Sequence, residues 1–172
     1  MFQNPEIAID ELPTLEHPEW QRLHPKFVRR IQVQKAVVAL VFLVGVVVFT
    51  VLLDVPLLPT VLLWLLVGGF AIVYVAWPII AVPRRGYVVR NKDIVFRSGV
   101  VWRSVTAVPF NRVQHVETSS TPLDRKFGLT KLEIFTAGGI VGDLTISGLG
   151  TDIAEQLRVY ILDKVGASVE NA

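Results

Sequence analysis

Few residues of this chain have the types and spacing that catalysis or metal binding requires. The histidines His17, His24 and His115 lie far apart, and His115 with Glu117 would need distant partners to hold a metal ion. The hydroxyl run Ser119-Ser120-Thr121 has no recognisable base arrangement, and no G-x-S-x-G nucleophile motif exists. The sequence therefore predicts no catalytic residue and no metal site.

The glycine-rich residues 138–142 do not match a nucleotide-binding loop either. Such a loop has to open a helix, so that the helix N-terminus meets the phosphates. Here the glycines lie between two short β-rich runs. Cysteine is absent, which excludes disulfides and cysteine nucleophiles and suits a reducing compartment. We therefore expect a protein that is not an enzyme and has no cofactor.

Basic side chains are the other group that could bind a ligand. Five of them, called the basic cluster, are Arg84, Arg85, Arg90, Lys92 and Arg97. They are possible contacts for anionic lipid headgroups or for a protein partner. The alternative is that they only orient the neighbouring apolar segments in a membrane. The net charge is +2 and the cations gather beside apolar runs, which does not predict nucleic acid binding.

Two apolar runs, residues 36–53 and 57–82, precede the basic cluster and must position it. Each is long enough as a helix to cross a hydrocarbon core of about 30 Å. Only residues 54–56 separate the runs, and they contain neither Lys nor Arg. We predict a transmembrane hairpin with its helices at residues 35–54 and 57–82.

Charges on both sides give the hairpin a direction. The cations before it are Arg22, Lys26, Arg29, Arg30 and Lys35, and the basic cluster follows it. Because positive loops stay in the cytoplasm, both termini are expected there. The chain is thus expected to be a multi-pass protein of the plasma membrane.

The cytoplasmic segment 1–34 divides by charge into an acidic and a basic part. Residues 1–19 contain five acids and no Lys or Arg, and they are expected to be a solvated tail. In the basic part, Trp20, Leu23 and Phe27 alternate with cations. We interpret these three as interfacial side chains among the lipid headgroups. The alternative is ordinary topological signalling with no lipid specificity.

Residues 84–166 change to short β-rich runs broken by turn residues. The predicted strands are residues 86–90, 93–97, 100–108, 112–118, 132–136 and 141–147. A C-terminal helix follows, with an apolar face of Ile153, Leu157, Ile161 and Val165. Gly166 is expected at the C′ position that ends it. The fold class is α+β, with a helical hairpin followed by an antiparallel barrel or sandwich capped by a helix.

Three linked motifs in this part resemble a known family. They are residues 108–116 (VPFNRVQHV), 122–129 (PLDRKFGL) and 136–139 (TAGG). In this order, after two apolar spans, they are similar to the bacterial pleckstrin-homology-like (PH-like) membrane proteins of the YdbS-like family. The resemblance implies a bent antiparallel barrel closed by a helix. It also suggests a partner, either another PH-like membrane protein or a second copy of this chain.

The residues that carry the resemblance are expected to have structural roles, with partner contact as the alternative. They are Pro109, Arg112, Gln114, Pro122, Leu123, Arg125, Gly128, Leu129, Thr136, Ala137 and Gly138. Glycine suits turns with positive φ, and proline suits strand ends because it lacks an N–H donor. Arg112 and Arg125 are candidates to pair with acids such as Asp124 or Glu117 and fix corners.

The sequence thus predicts a non-enzymatic integral membrane protein that presents a cytoplasmic PH-like module for protein assembly. The alternative function is recognition of anionic lipid headgroups by the basic cluster on the membrane-proximal face. The expected partners are the lipid bilayer and a PH-like membrane protein or a second copy, without nucleic acid.

Overall fold

The fold consists of two long apolar helices and two β-sheets, which are followed by a C-terminal helix. The structure, a computed structural model, describes residues 19–137 and 143–170. The helices are α1 (Lys26–Leu52) and α2 (Leu57–Ala81), and both are long and apolar enough to cross a membrane. A helix of 25 residues, such as α2, is about 37 Å long, which exceeds the hydrocarbon thickness of a bilayer.

Contacts at both ends close α1 and α2 into a hairpin. Between them, Asp54 takes a positive φ of 46°, and Pro56 precedes the first residue of α2. At the other end, the Lys35 ammonium donates to the Tyr74 carbonyl oxygen at 3.2 Å and lies 4.3 Å from the centre of that ring. A lysine at this position carries its charge toward the membrane interface along its apolar stem.

The first sheet contains strands from both sides of the hairpin. Its order is β1 (Gln21–Arg22), β2 (Gly86–Val89), β3 (Asp93–Ser98) and β4 (Ser104–Pro109), all antiparallel. Because β1 precedes α1 and β2 follows α2, the hairpin is inserted between two neighbouring strands of one sheet. Both of its ends therefore lie on the same side.

The second sheet follows directly and packs with a C-terminal helix. Its elements are β5 (Val113–Ser119), α3 (Pro122–Phe127), β6 (Leu129–Thr136), β7 (Leu144–Gly150) and then α4 (Thr151–Glu170). We call the two sheets with α3 and α4 the β domain. Its core joins Ile94 of the first sheet, Leu132 and Ile146 of the second, and Ile161 of α4, all 0% exposed. The expected α+β architecture is confirmed.

Several predicted element bounds were wrong, and β6 and β7 each extend three residues beyond the predicted strand, to Leu129 and Gly150. The strand expected at residues 100–108 begins only at Ser104, because Gly99 turns the chain with φ of 105° and residues 99–103 form a loop. The helix expected to end before Gly166 continues to Glu170. A glycine inside a helix costs only about 1 kcal/mol relative to alanine, so it does not have to stop one.

The interfacial interpretation of Leu23 and Phe27 was also wrong. Both side chains are buried in the core of the β domain, at 7% and 4% exposure, because β1 draws this part of the chain into the first sheet. Gly148 in β7 makes room for the Phe27 ring: a Cβ built there would lie 2.3 Å from Phe27 Cγ. Its φ of 85° also favours glycine.

Candidate functional site at the junction of the helices and the β domain

An ion pair joins α1 to α3 just outside the apolar stretch. Arg30 Nε lies 2.6 Å from Asp124 Oδ1, and the two side chains are 16% and 13% exposed. Asp124 also belongs to a capping box, in which its backbone N–H donates to Thr121 Oγ1 and its Oδ2 accepts from the Thr121 N–H. The carboxylate that starts α3 thus also holds α1.

The environment of Asp124 keeps it ionised. Burial by itself raises the pKa of this carboxyl, but hydrogen bonds from Thr121 and Arg30 and the Arg30 charge outweigh that effect. The pKa therefore lies below its ordinary value of 3.8. At neutral pH, Asp124 is therefore ionised and serves as the counter-ion of Arg30.

A polar pocket of about 400 Å³ lies beside this ion pair. Its lining includes Arg85, Lys131 and the hydroxyl-bearing Ser119, Ser120 and Ser147. Lys131 is paired with Glu133 at 2.9 Å, whereas Arg85 forms no ion pair with any residue that the structure describes. An unpaired guanidinium next to hydroxyl groups is an arrangement that suits a phosphate group.

A second cavity, of about 480 Å³, lies against the start of α1 and is lined mainly by apolar groups. Its walls include Leu23, Val82 and Ile153, with Arg22 and His24 as polar members. Tyr87 also lines it, and burial raises the pKa of the Tyr87 phenol. The junction therefore has one polar and one largely apolar recess.

The basic cluster does not form one surface. Strand pairing sets Gly86 opposite Arg97. Three cations, Arg84, Arg85 and Arg97, therefore lie at the end of the sheet that is connected to α2. Arg90 and Lys92 belong to the turn at the other end of β2, roughly 10–13 Å away. The structure therefore brings three of the five predicted residues to the junction and places two elsewhere.

The side chains of the basic cluster also differ in the residues that they contact. Arg97 stacks on Trp20, with its guanidinium carbon 4.4 Å from the ring centre, and its buried Nε has no hydrogen-bond partner among the described residues. Arg90 lies 3.8 Å from the Asp93 carboxylate across the turn. Arg84 and Lys92 are exposed.

The first family motif forms a strand end and a bulge. Pro109 is the last residue of β4, and Arg112 ends a short 3₁₀ turn (Phe110–Arg112). The Arg112 carbonyl oxygen accepts a hydrogen bond from the Ala137 N–H at 3.0 Å. Gln114 is the position at which the pairing of β5 with β6 shifts, which marks a β-bulge.

The second and third motifs start and end α3 and close the second sheet. Pro122 is the first residue of α3, and Gly128 ends it in a left-handed conformation with φ of 67°. Leu129 is buried at 1% exposure, and the buried Thr136 donates its N–H to Asp143 Oδ1 at 2.9 Å. Leu123 is half-buried, Arg125 and Ala137 are exposed, and Gly138 lies outside the described residues.

The expected pairing of Asp124 with Arg112 or Arg125 was wrong, because Arg30 occupies that carboxylate. Within the described ranges, neither of those two arginines forms an ion pair. Glu117 instead lies 2.9 Å from His115 Nε2 on an exposed face.

The candidate catalytic and metal-binding groups have structural contacts. Ser119 Oγ donates to Glu133 at 3.1 Å, and Thr121 caps α3. Among the residues that the structure describes, no group of three or more His, Cys, Asp or Glu could hold a metal ion. The features of the junction that could bind a ligand are therefore the polar pocket beside Arg30 and the largely apolar cavity at the start of α1.

Besides β1, two features of the junction were missed from the sequence. One is α3, although Thr121 followed by Pro122 and by Asp124 three positions on is a recognisable helix start. The other is the Arg30 contact to Asp124, which joins positions 94 residues apart. No local pattern signals a pair at that separation.

Comparison with known proteins agrees with this architecture. The family model described as "Bacterial PH domain" matches residues 31–165, a range that includes α1 from its sixth residue on, all of α2 and most of the β domain. The UPF0699 transmembrane protein YdbS of Bacillus subtilis (strain 168) is 36% identical over 72 residues, which is 42% of this chain and 43% of that relative. The match thus spans less than half of that relative's length. No solved structure gives a significant match.

Proposed function

This chain belongs to the bacterial PH domain family and has transmembrane helices, and we propose that it is a non-enzymatic scaffold whose β domain assembles with a second membrane protein. One observation carries this proposal: the transmembrane hairpin is inserted between two neighbouring strands of the β domain. Pairing of β1 with β2, burial of Phe27 and the Arg30–Asp124 ion pair all hold the domain on α1. Because these contacts fix the orientation of the β domain relative to the membrane, the same surface of the domain is available to any neighbouring membrane protein.

The proposed orientation places the β domain and both termini in the cytoplasm, with the Asp54 turn on the opposite side of the plasma membrane. Two facts support it. The hairpin starts and ends at adjacent strands, and the cations lie on that side whereas the turn has none. Positive charge is retained on the cytoplasmic side during insertion.

The proposed contact surface is the outer edge of β4. This strand pairs with β3 along one side and is the last strand of its sheet. Ala107 is exposed on it. An edge of this kind offers backbone donors and acceptors to an added strand, and a PH-like partner or a second copy has strands to supply.

A photoreactive residue tests this surface. It would be placed at Ala107 of the full-length protein in native membranes, with Asn91, in the turn at the far end of β2, as the matched control. We expect Ala107 to crosslink to a PH-like membrane protein or to a second copy, and Asn91 not to do so. Equal crosslinking from both positions, or none from Ala107, would contradict the proposal.

Anionic lipid recognition is the second candidate function. It is favoured by Arg85, which has no ion pair among the described residues and lines the polar pocket together with Ser119 and Ser120. We expect phosphatidylglycerol to copurify with the full-length protein and to be lost in Arg85→Gln. Arg90→Gln is the control, because Arg90 lies at the other end of β2. Equal lipid retention in both variants would exclude this candidate.

A further inference from the structure

We propose that the loop of residues 99–103, between β3 and β4, is a separate membrane contact that inserts Val101 and Trp102 into the headgroup layer of an anionic bilayer. This inference concerns a different surface from the β4 edge. It does not depend on a protein partner.

Exposure singles out this loop. Trp102 is 87% exposed and Val101 is 69% exposed, and neighbouring Val105 extends the apolar surface with 65% exposure. Outside the helical hairpin (residues 26–81) and α4, these are the exposed large apolar side chains of the described residues. A tryptophan left in water in this way loses the burial energy that its large surface would otherwise supply.

Strand pairing places the loop on the side of the sheet where the membrane helices attach. Arg22 is opposite Gly86, Gly86 is opposite Arg97, and Arg97 is opposite Val105, which makes one row across the four strands. From this row the chain leaves toward α1 after Arg22, and it arrives from α2 just before Gly86. Residues 99–103 project beyond the same end of the sheet.

The distances allow this loop to reach the lipid. α2 ends at Ala81 and β2 begins at Gly86, and even a fully extended link of that length spans less than about 17 Å. Part of the link is a 3₁₀ turn (Val82–Arg84), which shortens it. Across the sheet, three strand spacings of about 4.8 Å separate β1 from β4.

The charge around the loop suits an anionic surface. The sequence has no acid between Asp93 and Glu117, and this stretch contains Arg97, Arg103 and Arg112, of which the first two flank the loop. Arg103 is exposed and forms no ion pair with the described residues. Tryptophan with adjacent cations is the composition of interfacial segments, in which the ring lies among the headgroups and the cations meet phosphates.

The backbone holds the loop in a tight turn. Gly99 has φ of 105°, and a Cβ at this position would lie 1.7 Å from the Trp102 carbonyl oxygen. Only glycine permits this approach, so the turn that presents Val101 and Trp102 has a defined shape. Ordering a loop on binding costs conformational entropy, and a preformed turn reduces that cost.

A single spin label measures the contact directly. The chain has no cysteine, so Val101→Cys gives the full-length protein one nitroxide, and Asn91→Cys gives a matched control at the opposite end of β2. Both proteins would be placed in nanodiscs of phosphatidylcholine with phosphatidylglycerol. Collision rates would then be measured with oxygen, which enriches in lipid, and with a water-soluble nickel chelate.

We expect the label at position 101 to collide with oxygen several-fold more than with the chelate, relative to the label at position 91. Removing phosphatidylglycerol, or adding Arg103→Gln, should return position 101 toward the value at position 91. Equal accessibility at the two positions would overturn the proposal. So would dipolar broadening at position 101 that unlabelled protein dilutes away, because that result identifies a second copy as the occupant.

Discussion

Arg30 and Asp124 are 94 positions apart in the chain, yet their Nε and Oδ1 atoms lie 2.6 Å apart and both side chains are mostly buried. Arg30 belongs to α1 and Asp124 to α3. Their contact fixes the β domain on the helix just before its apolar stretch begins. A large displacement of the β domain relative to α1 would have to break this pair.

A double-mutant cycle should show this coupling. Arg30→Gln and Asp124→Asn each leave a partner without its counter-charge, so we expect a coupling free energy of about 0.5–3 kcal/mol between the two positions. SDS-induced unfolding in mixed micelles measures it. The control is Arg29→Gln, because Arg29 is exposed on the same helix turn. Additive effects of the two substitutions would show that the pair does not stabilise the junction.

The same pair predicts an acid-sensitive contribution to stability. The folded-state pKa of Asp124 lies below its ordinary value of 3.8, because hydrogen bonds from Thr121 and Arg30 and the Arg30 charge outweigh the opposing effect of burial. Its stabilisation is therefore complete above about pH 4 and is lost as the pH falls through the lowered folded pKa. The difference in unfolding free energy between the wild type and Asp124→Asn should stay constant near neutrality and shrink below about pH 4. A difference that persists unchanged in acid would contradict this.

Gly148 and Gly166 provide a matched pair of alanine substitutions. Gly148→Ala drives a Cβ into the Phe27 ring at a φ of 85°, and we expect a loss of about 2–4 kcal/mol. Gly166 lies within α4 and a Cβ there meets nothing within 4 Å, so Gly166→Ala should stabilise by about 0.5–1 kcal/mol. Thermal unfolding of the two variants in one detergent gives the comparison. Equal effects would show that Phe27 does not pack on β7 as described.

A fragment that begins at residue 84 should not fold stably. It lacks β1 and the buried side chains Leu23 and Phe27, and deleting such side chains costs about 2–5 kcal/mol each. Limited proteolysis should cut this fragment rapidly. Fusing residues 19–31 to its N-terminus through a flexible linker should restore protection. If the shorter fragment is equally resistant, the segment before the hairpin is not part of the core.

Cysteine labelling tests the orientation of the hairpin. With no native cysteine, Val55→Cys and Asn91→Cys each carry one thiol. A membrane-impermeant maleimide added to intact cells should label position 55 and spare position 91 until the membrane is opened. The opposite result would reverse the proposed topology.

The sequence predicted the elements that follow from periodicity and apolar length. Both long helices, the strand-rich domain and its C-terminal helix were expected, because each has a local signature in residues that are close together in the chain. Residues 100–103 were wrongly predicted as the start of a strand, because Val100, Val101 and Trp102 are residue types that favour β-strands. Tertiary context and the backbone of Gly99 decided against a strand there.

The junction could not be predicted in the same way. A two-residue strand such as β1 has no periodicity, and its pairing with β2 depends on a helical hairpin that returns the chain to the same place. The aromatic and basic residues before the hairpin also fit two environments equally well, the lipid headgroups and a protein core. The pairing of β1 with β2 and the packing of Phe27 on Gly148 distinguish the two environments for Leu23 and Phe27.

Insertion of the hairpin between β1 and β2 also imposes a sequence of events on biogenesis. After Arg22 leaves the ribosome, its partner Gly86 is still unsynthesised, and at about 5–20 residues per second the strand waits several seconds for it. During that time both helices have to enter the bilayer and turn back. A hairpin that fails to return leaves the β2 edge without its partner strand and the core of the β domain without Leu23 and Phe27. Completion of the first sheet therefore depends on a hairpin that brings the chain back to the side from which it left.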